Sequence, residues 1–404
     1  MKSFNTYRHR LQLSIALLAM ACFIACKKED IKTSDAAPVI NKIRAIAPAP
    51  NDSTLTKILP GQLVVLQGDN FLGVQAVYFN GVKATFNAAL VARQSLVVTV
   101  PEPDFSAPVA GEENKVRIVT NAGETTFSIP LVPPPPVITG VDYEYKAAGQ
   151  VLTIYGQYLY LITKVAFTGG DGTNIVTTKA GTTMQVTIPS TATAGNIIVS
   201  TQGGKSSYSS YNDRVTGMFS NFDDINKFQY WSASQTGDAT LFPGALGNYV
   251  QMKFDNVGIN DQAWYNGGRS INMNDGQWVP PANLSEPTAN WAVKFDIYVK
   301  EAWKTGALLI RTDSYTYMAR YEPWKTAAGG SFTTTGWITV TLPLSSFKKE
   351  AAGFQGTGEA IPNLGTLLGS SGTKAMSFMF YNDSSTPIAK FDAAVDNIRV
   401  VKIK

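Results

Sequence analysis

The sequence has almost none of the residues that most hydrolytic and metal-dependent enzymes use. It contains 404 residues but only two cysteines and one histidine. These are Cys22, Cys26 and His9, so no thiol and no imidazole follows position 26. Without them, the rest of the chain cannot build a Ser-His-Asp triad, a Cys-His nucleophile pair, a disulfide or a zinc site of the usual ligands. Enzymes and metal sites of those kinds are excluded.

An excess of charge of one sign is also missing. Charged residues make up 16% of the chain, with 34 basic and 30 acidic residues. Lys2, Arg8 and Arg10 precede an apolar run over 11–25, which is too short to span a bilayer and is typical of a secretory signal. Removal of the signal would leave 34 − 3 = 31 basic residues against 30 acidic ones. This balance does not indicate a nucleic-acid partner.

The end of the signal carries a short lipidation pattern. Phe23-Ile-Ala-Cys26 is similar to a bacterial lipobox, in which small residues precede a cysteine that is lipidated after cleavage. Lys27-Lys-Glu-Asp30 follows directly and resembles the surface-export signal of Bacteroidetes lipoproteins. The sequence therefore predicts a signal peptide over 1–25, lipidation of Cys26 and a polar lipidated tether over 26–37.

An internal repeat follows the tether. Gly61-Gln-Leu-Val-Val-Leu-Gln-Gly68 aligns with Gly149-Gln-Val-Leu-Thr-Ile-Tyr-Gly156, an offset of 149 − 61 = 88 residues. The same offset relates Val98-Thr-Val-Pro101 to Val186-Thr-Ile-Pro189. Short apolar runs of this kind, bounded by Gly, Asn and Pro, are typical of strands. The repeat predicts two copies of one all-β unit.

Both copies resemble the IPT/TIG family of immunoglobulin-like domains, which share this glycine-bounded strand and the later strand that ends in proline. The resemblance implies two tandem sandwiches, over 38–132 and 133–216, that act as spacers or interaction modules. Pro133-Pro-Pro-Pro136 would stiffen the connection, so that the tandem would lift the rest of the chain off the membrane. Alternatively, the second copy binds a ligand through its clustered tyrosines, which are Tyr143, Tyr145, Tyr155, Tyr158 and Tyr160.

The last part of the chain holds all seven tryptophans. In Trp291-Ala-Val-Lys-Phe-Asp-Ile-Tyr-Val299 the apolar residues alternate, which predicts a half-buried antiparallel strand with Trp291 in the core. Similar runs occupy 249–254, 337–344, 376–381 and 395–400. No convincing amphipathic helix lies between them. The pattern predicts a two-sheet β-sandwich of the jelly-roll type over 217–404, and an all-β protein.

Other tryptophans are poorly placed for burial in such a sandwich. Trp264 and Tyr265 lie among Asp, Asn and Gly, Trp303 follows Lys300-Glu-Ala, and Trp324 follows a proline. These contexts predict loops on the surface. Exposed rings favour sugar ligands, because a pyranose has an apolar face that stacks on an aromatic plane.

A row of tyrosines precedes Trp324. Tyr315, Tyr317 and Tyr321 fall on one parity, so a strand through them would carry three phenol rings on one face. That face would extend an aromatic platform towards Trp324. The alternative is that Tyr315 and Tyr317 pack in the core of the sandwich.

The order of these features resembles the surface glycan-binding proteins of Bacteroidetes polysaccharide-utilisation systems, of the type whose C-terminal domain is named for xyloglucan binding. In that domain the resemblance is carried by 247–252, 263–265, 291–299, 321–324, 336–344 and 395–400. It implies a non-catalytic lipoprotein without a cofactor, exposed on the outer membrane, whose C-terminal domain resembles a carbohydrate-binding module. Its expected role is to capture polysaccharide, xyloglucan-like or another β-glucan or hemicellulose, beside a TonB-dependent transporter.

The resemblance and the residue contexts together predict the glycan-binding residues. Aromatic rings would stack on the sugars and an arginine would donate hydrogen bonds to their hydroxyl groups. The predicted residues are Trp264, Tyr265, Trp303, Trp324, Tyr317, Tyr321 and Arg311.

Two other functions compete with this one. A glycoside hydrolase or polysaccharide lyase would need two carboxylates that face each other across a cleft. The candidates are Asp223, Asp224, Asp255, Asp296, Asp313, Glu322 and Asp396, of which alternation places Asp296 on an outer strand face and Asp396-Asn397 is expected to close a turn. An adhesin or assembly subunit that binds protein would also use tandem immunoglobulin-like units. A structural calcium ion is a further possibility, held by Asp223 and Asp224 with Asp392 or Asp396.

Overall fold

The computed structural model describes residues 34–404. The predicted signal peptide, Cys26 and most of the tether lie outside these residues. Contacts divide the described chain into two compact units, 34–134 and 135–404. No helix in the described part is long and apolar enough to cross a membrane.

The first repeat is a sandwich of two four-stranded sheets, ordered β1-β2-β6-β5 and β4-β3-β7-β8. Its strands are β1 Val39–Ala45, β2 Leu63–Asp69, β3 Val74–Phe79, β4 Val82–Lys83, β5 Phe86–Ala92, β6 Ser95–Thr99, β7 Lys115–Thr120 and β8 Gly123–Ser128. Alternate residues such as Val64, Leu66, Val77 and Phe79 are buried between the sheets. Their burial follows from the period of two along each strand.

The second repeat has the same construction, with sheets β13-β14-β10-β9 and β12-β11-β15-β16. Its strands are β9 Val137–Val141, β10 Val151–Gln157, β11 Ile162–Phe167, β12 Gly170–Asp171, β13 Thr173–Thr177, β14 Thr183–Thr187, β15 Gly195–Thr201 and β16 Lys205–Tyr211. β10 and β14 begin 88 residues after β2 and β6, since 151 − 63 = 88 and 183 − 95 = 88. The sequence repeat is therefore a repeat of structure.

Each copy of the repeated strand motif ends in a glycine, Gly68 or Gly156, and steric contact explains why glycine occurs there. A Cβ on Gly68 would lie 1.7 Å from the carbonyl oxygen of Val39, and a Cβ on Gly156 would lie 2.1 Å from that of Val137. At both positions the neighbouring strand passes too close for a side chain. Glycine is required there by this close approach of two backbones.

The C-terminal sandwich, residues 217–404, confirms the expected all-β, jelly-roll arrangement. Its strands are β17 Met218–Ser220, β18 Ser234–Thr236, β19 Tyr249–Val257, β20 Ser270–Gln277, β21 Trp291–Val299, β22 Ala307–Arg311, β23 Met318–Tyr321, β24 Ile338–Pro343, β25 Thr373–Tyr381 and β26 Ile388–Lys402. A six-stranded sheet has the order β18-β19-β26-β21-β24, with β17 also paired to β26, and a four-stranded sheet has the order β20-β25-β22-β23. Strands alternate between the sheets along much of the chain, as in a jelly roll.

Helical structure in the described residues is limited to short turns. α1 spans Leu364–Leu368 and is capped by the Asn363 side chain, which accepts from the amide of Thr366. The 3₁₀ turns are Pro281–Asn283, Thr288–Asn290, Pro323–Lys325, Ala328–Gly330 and Leu344–Ser346.

The main core lies between the two sheets of the C-terminal sandwich. Along β21 the residues Trp291, Val293, Phe295, Ile297 and Val299 all belong to it, as the alternation predicts. The strand is not half-buried as expected, however, because its other face is also covered. Each sheet also has an outer face. Buried side chains on the outer face of the four-stranded sheet are Ala307, Leu309, Met318, Met379 and Tyr381.

The sequence expectation for Asp396 and Asn397 is wrong. The two residues do not close a turn but lie inside β26, where Asn397 has a φ of 46° and the pairing with β21 shifts by one residue. A bulge of this kind adds a residue to one strand without ending it. Asp296 does lie on an outer strand face, yet it is only 1% exposed.

Candidate functional site

The loop between β19 and β20 carries Trp264 and Tyr265. Tyr265 is 58% exposed, whereas Trp264 is half-buried and packs on the outer face of the four-stranded sheet. Arg269 closes the base of the loop, because its guanidinium lies 3.1 Å from the Asp261 carboxylate and donates to the Asp261 and Phe380 carbonyl oxygens. The loop is therefore an ordered support for two adjacent rings.

A second pair of aromatic residues lies beside this loop. Trp231 is 45% exposed, and its ring centroid lies 5.5 Å from that of Trp264. Its neighbours Tyr230 and Ser232 both have positive φ, 50° and 76°, a region that residues with a side chain rarely adopt. The amide of Gly268 donates to the carbonyl oxygen of Ser232, which ties this segment to the loop. Residues held in such conformations cluster at functional sites.

Sequence reasoning missed Trp231, although a signal was present. Tyr230-Trp231 is a pair of adjacent aromatic residues in a polar segment, as is Trp264-Tyr265. The two pairs are 33 residues apart, since 264 − 231 = 33, so nothing local connects them. Only the fold brings them together.

Tyr315 joins the same group through Arg311. The guanidinium of Arg311 lies 3.8 Å from the centre of the Tyr315 ring, and its Nη2 donates to the Tyr315 hydroxyl at 3.0 Å. Its Nη1 donates to the carbonyl oxygen of Thr312 and its Nε to the sulfur of Met379. Arg311 is 7% exposed, and burial lowers its pKa.

These contacts change the role expected for Arg311. The sequence predicts a donor to sugar hydroxyls, but each of its three nitrogens already donates within the protein. The side chain is also buried beneath Tyr315, which is itself 47% exposed. Arg311 therefore positions an exposed ring rather than presenting donors of its own.

Trp231, Trp264, Tyr265 and Tyr315 together form one surface, named here the aromatic patch. The Trp264 ring lies 5.8 Å from that of Tyr265 and 6.4 Å from that of Tyr315. The interplanar angle is 79° for both Trp264-Trp231 and Trp264-Tyr265 and 41° for Trp264-Tyr315, so the rings form an angular surface rather than a flat one. Several exposed rings in contact can stack on successive sugars of a chain.

The structure corrects the prediction for Trp303. This residue is 2% exposed and belongs to the main core, where its ring lies 5.3 Å from Phe391 and 5.4 Å from Phe380. Its indole nitrogen donates to the carbonyl oxygen of Thr305 at 2.9 Å. An isolated bridge to Phe332 draws the segment over the open edge of the core. Trp303 cannot stack on a ligand from this position.

The predicted row of tyrosines does not form. β23 begins only at Met318, and Tyr315 and Tyr317 precede it in an irregular segment. Tyr321 lies on the inner face of β23, half-buried, with its ring 5.7 Å from that of Phe295. Tyr317 is also half-buried and packs on the main core, so neither ring belongs to the aromatic patch.

Trp324 is separated from the patch in a similar way. It lies in the 3₁₀ turn Pro323–Lys325, half-buried against the main core. Its indole nitrogen donates to the carbonyl oxygen of Gly306 at 2.8 Å. The structure thus brings together Trp264, Tyr265 and Arg311 of the predicted residues.

The candidate catalytic carboxylates are engaged elsewhere. Glu322 and Asp383 both bind the half-buried guanidinium of Arg320, at 2.8 and 2.7 Å. Asp296 and Asp396 are buried on the opposite side of the sandwich, and burial raises the pKa of each. Asp313 is exposed and forms an ion pair with Lys374 at 3.1 Å.

Among the residues suggested for calcium, Asp223 and Asp396 lie near each other, since burial and the charge of Asp223 both raise the pKa of Asp396. Asp223 accepts from the amide of Asn248, Asp224 from the side chain of Asn221, and Asp392 from that of Gln251. Within residues 34–404 no group of three or more His, Cys, Asp or Glu side chains is arranged to hold a metal ion.

Comparison with known families identifies the C-terminal sandwich. Residues 211–402 match the family described as surface glycan-binding protein B xyloglucan binding domain. The resemblance to surface glycan-binding proteins drawn from the sequence is thereby confirmed.

Individual proteins are also similar to this chain. The chain is 30% identical over 194 residues to an IPT/TIG domain-containing protein of Bacteroides ovatus, a match that covers 46% of this chain but only 39% of that protein. The fold of this chain is similar to that of the surface glycan-binding protein PbSGBP-B from Prevotella bryantii, with a TM-score of 0.69 and 21% sequence identity. This match covers 92% of this chain and all of PbSGBP-B. A further match is to SGBP-B from a complex xyloglucan utilization locus in Bacteroides uniformis, with a TM-score of 0.46 at 18% identity, covering 91% of this chain and 99% of that one.

Proposed function

We propose that this relative of the surface glycan-binding proteins captures polysaccharide chains through the aromatic patch of its C-terminal sandwich. The observation that carries the proposal is the contact of four rings at the surface, three of them 45 to 58% exposed. Exposed clusters of large apolar side chains mark binding sites, since they cost solvation in the free protein. A glucan offers the apolar faces that such rings bind.

The surroundings of the patch favour a neutral ligand. Arg269 is paired with Asp261, and Arg311 is buried beneath Tyr315, so neither guanidinium is presented to solvent. Xyloglucan, another β-glucan or a related hemicellulose carries no charge on its backbone. Binding would then rest on ring stacking and on hydrogen bonds to hydroxyl groups rather than on ion pairs.

The proposed cellular role combines the lipid anchor at one end of the chain with the aromatic patch near the other. Lipidation of Cys26 would anchor the chain in the outer membrane, with the repeats between the anchor and the C-terminal sandwich. Capture of a polysaccharide there would supply it to a TonB-dependent transporter beside it. The family match to surface glycan-binding proteins supports a place at the cell surface.

Affinity electrophoresis and calorimetry against a panel of soluble polysaccharides test the proposal. Each ring contributes on the order of 1 kcal/mol, so Trp231→Ala and Tyr265→Ala should each weaken binding about fivefold, and affinity should grow with oligosaccharide length. Tyr155→Ala, at a ring that is 44% exposed on β10 of the second repeat, tests the alternative site in that repeat and should leave binding unchanged. Equal binding by wild type and both patch variants would place the site elsewhere.

The same panel separates the competing functions. Release of reducing sugar from a bound polysaccharide would indicate an enzyme, whereas a constant level together with retention on the gel supports binding alone. For a protein-binding adhesin, soluble oligosaccharide would not compete with the partner. If the protein has the proposed function, soluble oligosaccharide should displace it from immobilised polysaccharide.

A further inference from the structure

The outer face of the six-stranded sheet is covered by the second repeat. Glu144, directly after β9, is fully buried and lies between two cations of the C-terminal sandwich. Its Oε1 accepts from Lys294 Nζ at 2.6 Å, and its Oε2 forms an ion pair with the guanidinium of Arg399. The Tyr208 hydroxyl of the second repeat donates to the same carboxylate and accepts from Lys294. We call these four residues the junction cluster.

Aromatic residues from both sides surround the junction cluster. Tyr143 and Tyr145 of the second repeat pack in one buried group with Phe242, Tyr249 and Trp337 of the C-terminal sandwich. Rings in close contact across a boundary contribute apolar burial, which is what holds most interfaces together.

Hydrogen bonds that involve the main chain cross the same boundary. The amide of Thr339 donates to the carbonyl oxygen of Asp142 at 2.9 Å, and the amide of Glu144 donates to Thr339 Oγ1 at 3.0 Å. Arg399 Nη1 donates to the carbonyl oxygen of Asp213 at 3.0 Å. The first of these joins two main-chain groups, the other two join a main-chain group to a side chain, and all three depend on the relative position of the two domains.

The aromatic group and the ion pairs at this boundary have different energetic effects. Ion pairs that are buried on association recover little net free energy, because both charges lose water, but they penalise every position in which one charge is left unpaired. The aromatic group therefore drives contact, while Glu144 selects its geometry. Glu144 can reach Lys294, Arg399 and Tyr208 together in one arrangement.

We propose that the second repeat and the C-terminal sandwich form a single rigid arm, whose orientation Glu144 fixes by pairing with Lys294 and Arg399. The second repeat covers the outer face of the six-stranded sheet, whereas the aromatic patch lies beyond the outer face of the other sheet. The arm thus holds the patch on the side of the sandwich that faces away from the second repeat. The rigid arm itself does not depend on the proposed function. Only the statement that the arm presents a glycan-binding patch rests on it.

Distance measurements between spin labels test the arm. Labels at Val176→Cys in the second repeat and Thr333→Cys in the C-terminal sandwich, two exposed positions, are introduced into the full chain with Cys22 and Cys26 replaced by serine. The wild-type junction should show one narrow distance distribution. Glu144→Lys, which places three cations together, should broaden it severalfold. Glu113→Lys, an exposed glutamate of the first repeat, should leave it unchanged.

Two outcomes would overturn the proposal: a broad distribution in the wild-type junction, or a narrow one in Glu144→Lys. If the lysine variant does not fold, Glu144→Gln replaces it, because glutamine removes the charge at nearly the same volume. Its distance distribution should also be broader than that of the wild type. Binding of a short oligosaccharide should be unchanged in a folded Glu144 variant, because the patch is on the other side of the sandwich. If the wild-type protein does not bind the oligosaccharide, the proposed function is rejected, but the distance measurements still test the rigid arm.

Discussion

Tryptophan residues of the C-terminal sandwich differ in their burial and in the partners of their indole nitrogens. Trp278, Trp291 and Trp303 are buried, and each donates its indole hydrogen to an oxygen of the protein. In the part of the chain that the structure describes, Trp231 and Trp264 donate no such bond to the protein. The same is true of Trp337, which is buried, so exposure rather than a missing hydrogen-bond partner distinguishes Trp231 from the core tryptophans.

Trp303→Ala should therefore affect stability. Removing a large buried ring should lower the free energy of unfolding by about 3 to 5 kcal/mol, because the cavity cannot close. Trp231→Ala, the matched exposed tryptophan, should change it by less than about 1 kcal/mol. Denaturant unfolding measures both, and equal losses would contradict the assignment of Trp231 to the surface.

Arg311→Met should lower glycan affinity without removing any ring from the patch. Methionine keeps much of the apolar volume but loses the stack and the hydrogen bond that hold Tyr315. We expect a loss of about fivefold, the equivalent of one stack of ~1 kcal/mol, in calorimetric titrations. The double variant with Tyr315→Ala should be no weaker than Tyr315→Ala alone. Additive losses would mean that Arg311 contacts the ligand itself.

Asp296 gives the stability a distinctive dependence on pH. Burial raises its pKa well above the ordinary carboxyl value, although Thr339 and Asn397 donate to it. A raised carboxyl pKa contributes stability that is fully present below the ordinary value, near 4, and is lost as the pH rises through the folded-state value. Asp296→Asn should remove this loss, so its stability relative to wild type should increase as the pH rises above about 4. Unfolding at several pH values measures the difference, which should grow by up to about 1.4 kcal/mol for each step of one in pH; parallel curves would contradict it.

At the scale of elements, strands were predictable where apolar residues alternate. β21 begins and ends where the alternation predicts, because its alternate residues from Trp291 to Val299 face the main core. Its other face is buried as well, which the alternation does not predict. The same reasoning failed for Tyr315 and Tyr317, whose parity matched a strand that does not exist. Arg311 holds Tyr315 by a contact that no periodicity records.

The repeat glycine provides a prediction about strand pairing. Gly156→Ala should cost about 1 to 3 kcal/mol, because its Cβ would meet the carbonyl oxygen of Val137 in the neighbouring strand β9. Gly140→Ala in β9 is the control, since a Cβ there meets nothing within 4 Å, and it should stay within about 1 kcal/mol of wild type. Thermal unfolding distinguishes the two, and similar melting temperatures would refute the steric account.

At the scale of the whole molecule, the described chain contains more than one independent core. The hydrophobic cluster of the first repeat lies within 40–131, while the main core of the C-terminal sandwich begins at Phe219. Substitutions in separate cores act independently. Each core should therefore respond only to its own substitutions.

Phe71→Ala tests this independence. Phe71 is fully buried in the first repeat, and its truncation should lower the stability of that unit by about 3 to 5 kcal/mol. Calorimetry should show one transition moving to lower temperature while the transition of residues 135–404 stays in place. Trp303→Ala should lower the transition temperature of residues 135–404 and leave that of the first repeat in place. A shift of both transitions in either variant would contradict two separate units.

Local sequence patterns were enough to establish the class of structure and the repeat, and they led to the hypothesis of a sugar ligand. Period-two alternation records which face of a strand is buried, and a glycine such as Gly156 records a close backbone contact; both are local properties. The absence of histidine and cysteine after position 26 limited the chemistry in the same direct way.

The members of the site were decided only by the tertiary structure. Trp264 and Trp303 both occur in loop-like segments, yet one lies at the surface and the other is enclosed by Phe380 and Phe391. Trp231 reaches the patch from 33 residues away, and Glu144 is buried only because a second domain covers it. Burial is a property of all neighbours in space, and neighbours that are distant along the chain leave no pattern in the sequence around a residue.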